Sequence, residues 1–313
     1  MSPEKTRQPG EQPSEQAMNR TPRTAPLHLL HDFGGDGQVI HLAHATGFPP
    51  GSYRLLAETL PEQYRVIALP SRPLWPSSRP ENTPTWQPMA GDLIQGLDQL
   101  GLAGIVGLGH SLGGVLTMWA AIQRPDLFRA VILVDPVILP PIYLWLIRIV
   151  RGLGLGDRQP LVQGALHRRR TWPSSQACYQ HFRSKSFFAN WPDAALHDYV
   201  DSGTKERADR QVELTFPPEW EAHIFATTPT TVWRDVPNLR TPALIIRGEH
   251  SHTFHPAARA RMARRLPQAR YLTIPGAGHM VPMERPEATG RAILEFLDSH
   301  RHRLKPTPDV PSQ

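Results

Sequence analysis

The chain is poor in the features that mark several common protein classes. It has one cysteine, Cys178, in 313 residues, so an internal disulfide framework is excluded. A reducing compartment fits that usage, and a cytoplasmic location is the expectation. No run approaches the roughly 20 apolar residues of a membrane span. The longest apolar stretch, Val137 to Val150, is short and contains Arg148. The opening residues have no apolar segment of the kind a secretory signal needs. They are polar and proline-rich, so residues 1–26 read as a disordered tail, with Met18 a second candidate start; residues 303–313 read as a C-terminal tail. Metal-ligand spacing is missing too. "HLAH" at His41 to His44 and "EHSHTFH" at Glu249 to His255 lack a clean pattern on one element and have no cysteine partner, so no metal is expected.

The net charge is +6 and the pI about 9.8, a balance that a nucleic-acid binder could show. The basic residues are scattered, however. The densest cluster, His167 to Arg170, has no helix-turn-helix, RNP or zinc pattern near it, so it reads as solvated surface and no nucleic-acid partner is expected.

What is present points to an α/β domain with an insertion. Gln38–Ala43, "YRVIALP", "AGIVGLG" and "RAVILVDP" are short apolar runs of the kind found in parallel sheets. Helical spacing separates them at "SYRLLAETL", "MAGDLIQGLDQLGL" and "LGGVLTMWAAIQRP". Leu27–Asp32 reads as a further strand, joined to Gln38–Ala43 in a hairpin by "GGDG". After Asp135 the rhythm breaks into irregular, helix-like segments without strand alternation. It resumes with "PALIIRG", "PAARARMARRL", "ARYLTIP" and "PEATGRAILEFLDSH". The expected layout is a core of residues 27–135 and 237–302, with a mainly helical cap at 136–236.

One stretch carries the chemistry. "GLGHSLGG" places Ser111 between a buried strand and a helix, within Gly109-His110-Ser111-Leu112-Gly113. A serine at such a junction must turn sharply, and the glycines leave room for neighbouring backbone. The turn lifts the hydroxyl above the carboxyl edge of the sheet, and the helix N-terminus aims N–H groups at developing negative charge. "HATGF", His44 to Phe48, follows the first long strand and can bring a second N–H to the same place. The expected oxyanion donors are the N–H groups of Phe48 and Leu112. "GAGHMVPMERPE" follows the last strand and presents His279 as a general base for Ser111.

With these three motifs in this order, the chain resembles an α/β-hydrolase of the capped, single-domain type, over roughly Leu27 to His300. The resemblance implies a mostly parallel sheet flanked by helices, Ser111 as nucleophile, His279 as base, and no cofactor. The acid departs from the family's pattern. Ser251 stands where an aspartate is usual in "GEHS", so two carboxylates compete. Asp135, at the end of the next strand after the nucleophile's, is preferred; Glu249 is the alternative.

The stretch "ILPPIYLWLIRIV" is apolar nearly all round as a helix. It reads as a buried helix lining an acyl or aromatic pocket, with docking to a membrane surface as the alternative. The expected activity is hydrolysis of an ester or related acyl bond in a small to medium hydrophobic substrate. The alternatives are a carbon–carbon bond hydrolase of the same fold and a pseudo-hydrolase that binds a ligand or partner through the cap. Ser111 argues against epoxide hydrolases and haloalkane dehalogenases, which use an aspartate nucleophile.

Overall fold

The computed structural model describes residues 25–76 and 78–300. Nearly all of the two expected tails, and Met18, lie outside them. The strands are β1 (His31–Asp32), β2 (Gln38–Ala43), β3 (Tyr64–Ala68), β4 (Ile105–His110), β5 (Phe128–Val134), β6 (Thr171–Trp172), β7 (Thr204–Glu206), β8 (Val212–Leu214), β9 (Ala243–Gly248) and β10 (Arg270–Ile274). The α-helices are α1 (Arg54–Glu58), α2 (Gln87–Gln99), α3 (Leu112–Gln123), α4 (Pro141–Gly152), α5 (Pro160–Leu166), α6 (Ser175–Arg183), α7 (Asp193–Gly203), α8 (Pro218–Ala226), α9 (Pro256–Arg265), α10 (Val281–Glu284) and α11 (Pro286–His300).

Seven strands form one sheet in the order β1-β3-β2-β4-β5-β9-β10, parallel except for β1. Its central strands are apolar at successive positions because both faces are covered. Ile40, Leu108 and Ile132 pack with α1 and α11 on one face; Ile105, Leu133 and Ile245 pack with α2, α3 and α9 on the other. From β2 the chain moves outward to β3 in one direction, then returns to β4 and proceeds the other way. The loops after β2 and β4 therefore diverge, opening a crevice at the carboxyl edge. "HATGF" and Ser111 lie on those two loops. Among the described residues, no helix is long and apolar enough to cross a membrane.

Three expectations are corrected. The Leu27–Asp32 strand and its hairpin do not form. Leu27–Leu29 is a 3-10 turn, and the two-residue β1 pairs antiparallel with β3 instead of β2. The "GGDG" glycines serve close packing: a Cβ at Gly35 or Gly37 would lie 2.0 Å from the carbonyl oxygen of Tyr64 or Gln63. Second, the segment between β5 and β9 is not free of strands. It contains a three-stranded antiparallel sheet, β6-β8-β7, whose members of two or three residues are too short to show alternation. Third, α4 is not buried. Its only buried residue is Leu144, and its apolar face is exposed.

Candidate active site

Ser111 sits between β4 and α3 with φ 55° and ψ −115°, a left-handed conformation that costs a non-glycine residue about 1–3 kcal/mol. The packing around it explains the glycines. A Cβ at Gly109 would lie 2.3 Å from the Gly113 oxygen, and one at Gly113 would lie 1.9 Å from the Ala43 oxygen. Both positions must be bare for α3 to begin against the end of β2. The Ser111 N–H donates to Val134 O at 3.0 Å, and Val137 N–H donates to Ser111 O at 3.3 Å. The turn is thus tied to β5 and to the chain leaving it.

Ser111 Oγ lies 2.9 Å from His279 Nε2, and His279 Nδ1 lies 2.9 Å from Asp135 Oδ1. With the carboxylate as acceptor, Nδ1 carries the proton and Nε2 accepts from the serine hydroxyl. Three loops that are distant in sequence converge here, at the ends of β4, β5 and β10.

Asp135 is fully buried, with a left-handed φ of 43°. Besides His279, its Oδ1 accepts from Ser251 Oγ at 2.5 Å and from Phe254 N–H at 3.3 Å; Oδ2 accepts from Gly248 N–H at 2.8 Å. The loop that lacks the usual aspartate thus supplies donors to an aspartate from the neighbouring strand. Ser251, which carries no charge to set against an imidazolium, holds the carboxylate that meets His279. Glu249 is elsewhere: it is exposed, accepts from Gly276 N–H at 2.8 Å and lies 3.7 Å from His250.

The His279 loop is held at three further points that the sequence motifs did not single out. The buried Glu284 carboxylate accepts from Gly278 N–H at 2.7 Å and Met280 N–H at 3.1 Å, the residues on either side of His279. His110 Nε2 is 3.0 Å from His279 O, and its Nδ1 is 2.8 Å from Tyr53 Oη, which in turn accepts from Ala45 N–H at 2.8 Å. One tautomer satisfies every contact: Tyr53 donates to His110 Nδ1, and His110 Nε2–H donates to His279 O. Burial pushes the His110 pKa down to about 3, which keeps that ring neutral and the network intact. The available signal was position: His110 immediately precedes Ser111, and Tyr53 opens the first helix.

The "HATGF" loop is equally fixed. His44 Nδ1 donates to Ala45 O at 2.9 Å, while Nε2 accepts from Ser71 N–H at 3.0 Å; burial lowers its pKa to about 4. His41 Nε2 accepts from Leu69 N–H at 3.1 Å. Both rings are engaged by backbone groups. The Phe48 expectation needs correcting. Its N–H closes a turn onto Ala45 O at 3.3 Å, so it is committed within the loop. Among the described residues, the loop amides of Thr46 and Gly47 and the Leu112 amide at the start of α3 have no hydrogen-bond acceptor.

Comparison with known proteins agrees with this fold. Residues 29–286 match the family described as the alpha/beta hydrolase fold. The chain belongs to that family. It is 27% identical over 270 residues to 2-(acetamidomethylene)succinate hydrolase of Mesorhizobium japonicum, covering 85% of this chain and 90% of that protein. It is 26% identical over 252 residues to Esterase YbfF of Escherichia coli, covering 78% and 87% respectively. The crystal structure of an E-2-(acetamidomethylene)succinate hydrolase superposes with a TM-score of 0.72 at 22% identity, covering 86% of this chain and 94% of the other.

In this α/β-hydrolase the segment between β5 and β9 lies against the loop after β2. The Phe48 ring packs into a set of aromatic rings from that segment, 4.9 Å from Tyr199, 5.8 Å from Trp191 and 6.2 Å from Phe187 between centroids. Trp172, Phe182 and Phe188 belong to the same buried cluster, whereas Tyr179 is only packed against it. Arg168 pairs with Glu221 and donates to Tyr199 Oη at 3.0 Å, directly over Gly47.

Proposed function

We propose that this hydrolase is a serine hydrolase that cleaves an ester or related acyl bond of a small to medium hydrophobic substrate through an acyl-enzyme. The observation that carries the reading is the chain Ser111 Oγ–His279 Nε2–Asp135 Oδ1, 2.9 Å at each step.

As Ser111 Oγ attacks the carbonyl carbon, its proton passes to His279 Nε2. Asp135 holds the ring in the tautomer that can accept it and pairs with the imidazolium that forms. The carbonyl oxygen becomes an oxyanion, stabilised by Leu112 N–H and by a free amide of the "HATGF" loop, Thr46 or Gly47. His279 then protonates the leaving group, and the acyl group remains on Ser111. Water, deprotonated by His279, attacks the ester so formed; the bond to Ser111 Oγ breaks, the acid leaves, and His279 returns the proton to Oγ, restoring the hydroxyl. Phe48, half-buried on the same loop as the Thr46 and Gly47 amides, and the exposed Phe187 stacked on it favour an apolar acyl or alcohol group. The likeness to a hydrolase whose named substrate carries an acetamido group brings amide-like acyl bonds into the same test panel.

A fluorophosphonate probe is expected to label Ser111, with no labelling of Ser111→Ala, and p-nitrophenyl esters are expected to turn over. Absence of labelling would replace this reading with a ligand-binding pseudo-hydrolase. Labelling with poor ester turnover but good turnover of vinylogous diketones would replace it with a carbon–carbon bond hydrolase.

A further inference from the structure

Among the described residues, eight large hydrophobic side chains are exposed, and seven of them lie between Ile142 and Leu161. α4 accounts for most. At about 100° per residue, Ile142, Leu146 and Ile149 share one stripe, with Leu153 continuing it just past the helix end and Tyr143 and Trp145 on its flanks. Ile142 is 59% exposed, Trp145 57% and Leu153 68%, while Leu144 on the opposite side is the buried residue. Leu161, at the start of α5, is 68% exposed. An amphipathic helix in a water-facing layer turns its apolar stripe inward. Here the stripe faces out, so the patch lacks its partner.

The charges around the patch bear on what that partner is. Residues 141–170 contain six arginines and one acidic residue, Asp157. Arg168 and Arg170 are paired with Glu221 and Glu219. Among the described residues Arg148, Arg151 and Arg158 have no carboxylate partner, and Arg148 and Arg158 are exposed. An isologous contact between two copies across α4 would bring arginines together with no acid on the helix to offset them. A negatively charged apolar surface meets both demands. The stripe would enter the acyl-chain boundary, Tyr143 and Trp145 would sit where one end is wet and the other apolar, and the arginines would meet phosphate groups.

We propose that α4, with Leu153 and Leu161, is an interfacial anchor that seats this protein on the surface of an anionic phospholipid bilayer. The anchor follows closely on the active-site edge. Pro141, its first residue, is four residues after Val137, whose N–H donates to the Ser111 carbonyl. Docking would therefore hold the Ser111 side of the sheet near the lipid surface. The anchor does not depend on turnover.

The test is sedimentation of the full chain with phosphatidylcholine vesicles, with and without phosphatidylglycerol. Binding to the anionic vesicles and little to the neutral ones is expected. The triple substitution Trp145→Ser, Leu146→Ser, Ile149→Ser is expected to abolish binding, and Arg148→Glu to weaken it by at least about fivefold, the effect of a single charge near such a surface. These side chains are exposed, and unchanged circular dichroism would show that the fold is kept. Ser111→Ala is expected to bind like the parent, so failure of docking and failure of the catalytic reading are separate results. Absence of binding to anionic vesicles, or binding that survives the triple substitution, would overturn the proposal. So would a dimer in sedimentation velocity that the triple substitution dissociates.

Discussion

Asp135→Asn, set beside Glu249→Gln, tests the catalytic arrangement most directly. Asparagine matches aspartate in shape but offers one acceptor oxygen and one NH2 group. Asp135 Oδ1 accepts from Ser251, Phe254 and His279, and Oδ2 accepts from Gly248 N–H at 2.8 Å. If the new oxygen takes the Oδ1 place, the NH2 group opposes the Gly248 N–H, donor against donor. If it flips, the NH2 group faces His279 Nδ1, which must then accept, and Nε2 becomes a donor that cannot take the Ser111 proton. Either way the imidazolium loses its buried counter-charge. Loss of kcat on the order of 10³–10⁴-fold is expected, about 4–5.5 kcal/mol of transition-state stabilisation, with KM changed far less. Glu249 is exposed, and its carboxylate meets the Gly276 N–H and His250; Glu249→Gln keeps an acceptor oxygen for Gly276 and should leave kcat within about twofold. Steady-state hydrolysis of p-nitrophenyl esters gives both constants, and the rate of fluorophosphonate labelling reports acylation alone. Asp135→Asn that keeps more than about a tenth of parental kcat, or a larger loss in Glu249→Gln, would refute the assignment.

Other perturbations follow from the same packing. His41, His44 and His110 are fully buried, and burial lowers their pKa values from 6.5 to about 3, about 4 and about 3. The unfolded chain therefore takes up their protons first. Their contribution to stability is complete above pH 6.5 and is lost as pH falls toward 4 and 3. Between pH 6 and pH 5 the three together should lower the unfolding free energy by about 3–4 kcal/mol, read by urea titration at each pH; a flat profile would contradict the burial of these rings. Tyr53→Phe removes the hydroxyl between Ala45 N–H and His110 Nδ1, leaving two buried groups unmet. It should cost about 1–3 kcal/mol of stability and lower kcat about tenfold with little change in KM; unchanged kcat would show that the bridge does not position the site. Gly113→Ala puts a Cβ 1.9 Å from the Ala43 oxygen and must push the "HATGF" loop away from Ser111. Fluorophosphonate labelling should slow by about 10²-fold or more, and near-parental labelling would show that the loop amides play no part.

Much of the core was legible because its signals are local. Apolar runs such as Val131 to Val134 announce a strand covered on both faces, and the glycines around Ser111 announce a turn with no room for side chains. The carboxylate beside His279 was half legible. Ser251 in the usual aspartate place showed that the carboxylate had to come from another residue, but two residues qualified on chain position alone. Their separation rests on β5 and β9 lying side by side, which brings Gly248, Ser251 and Phe254 to Asp135 and leaves Glu249 facing outward. The Phe48 amide was misread because a loop sequence does not say which N–H its own turn consumes. β6 to β8 escaped because two or three residues cannot display a period.

The order of residues alone thus specified which segments bury themselves and where a hydroxyl must protrude, since hydrophobic period and steric room are properties of neighbours along the chain. Only the folded molecule decided which carboxylate meets His279, which amides stay free beside Ser111, and that the stripe on α4 faces outward. Those outcomes depend on what a group lies against, and residues more than a hundred positions apart become neighbours only when the sheet has closed.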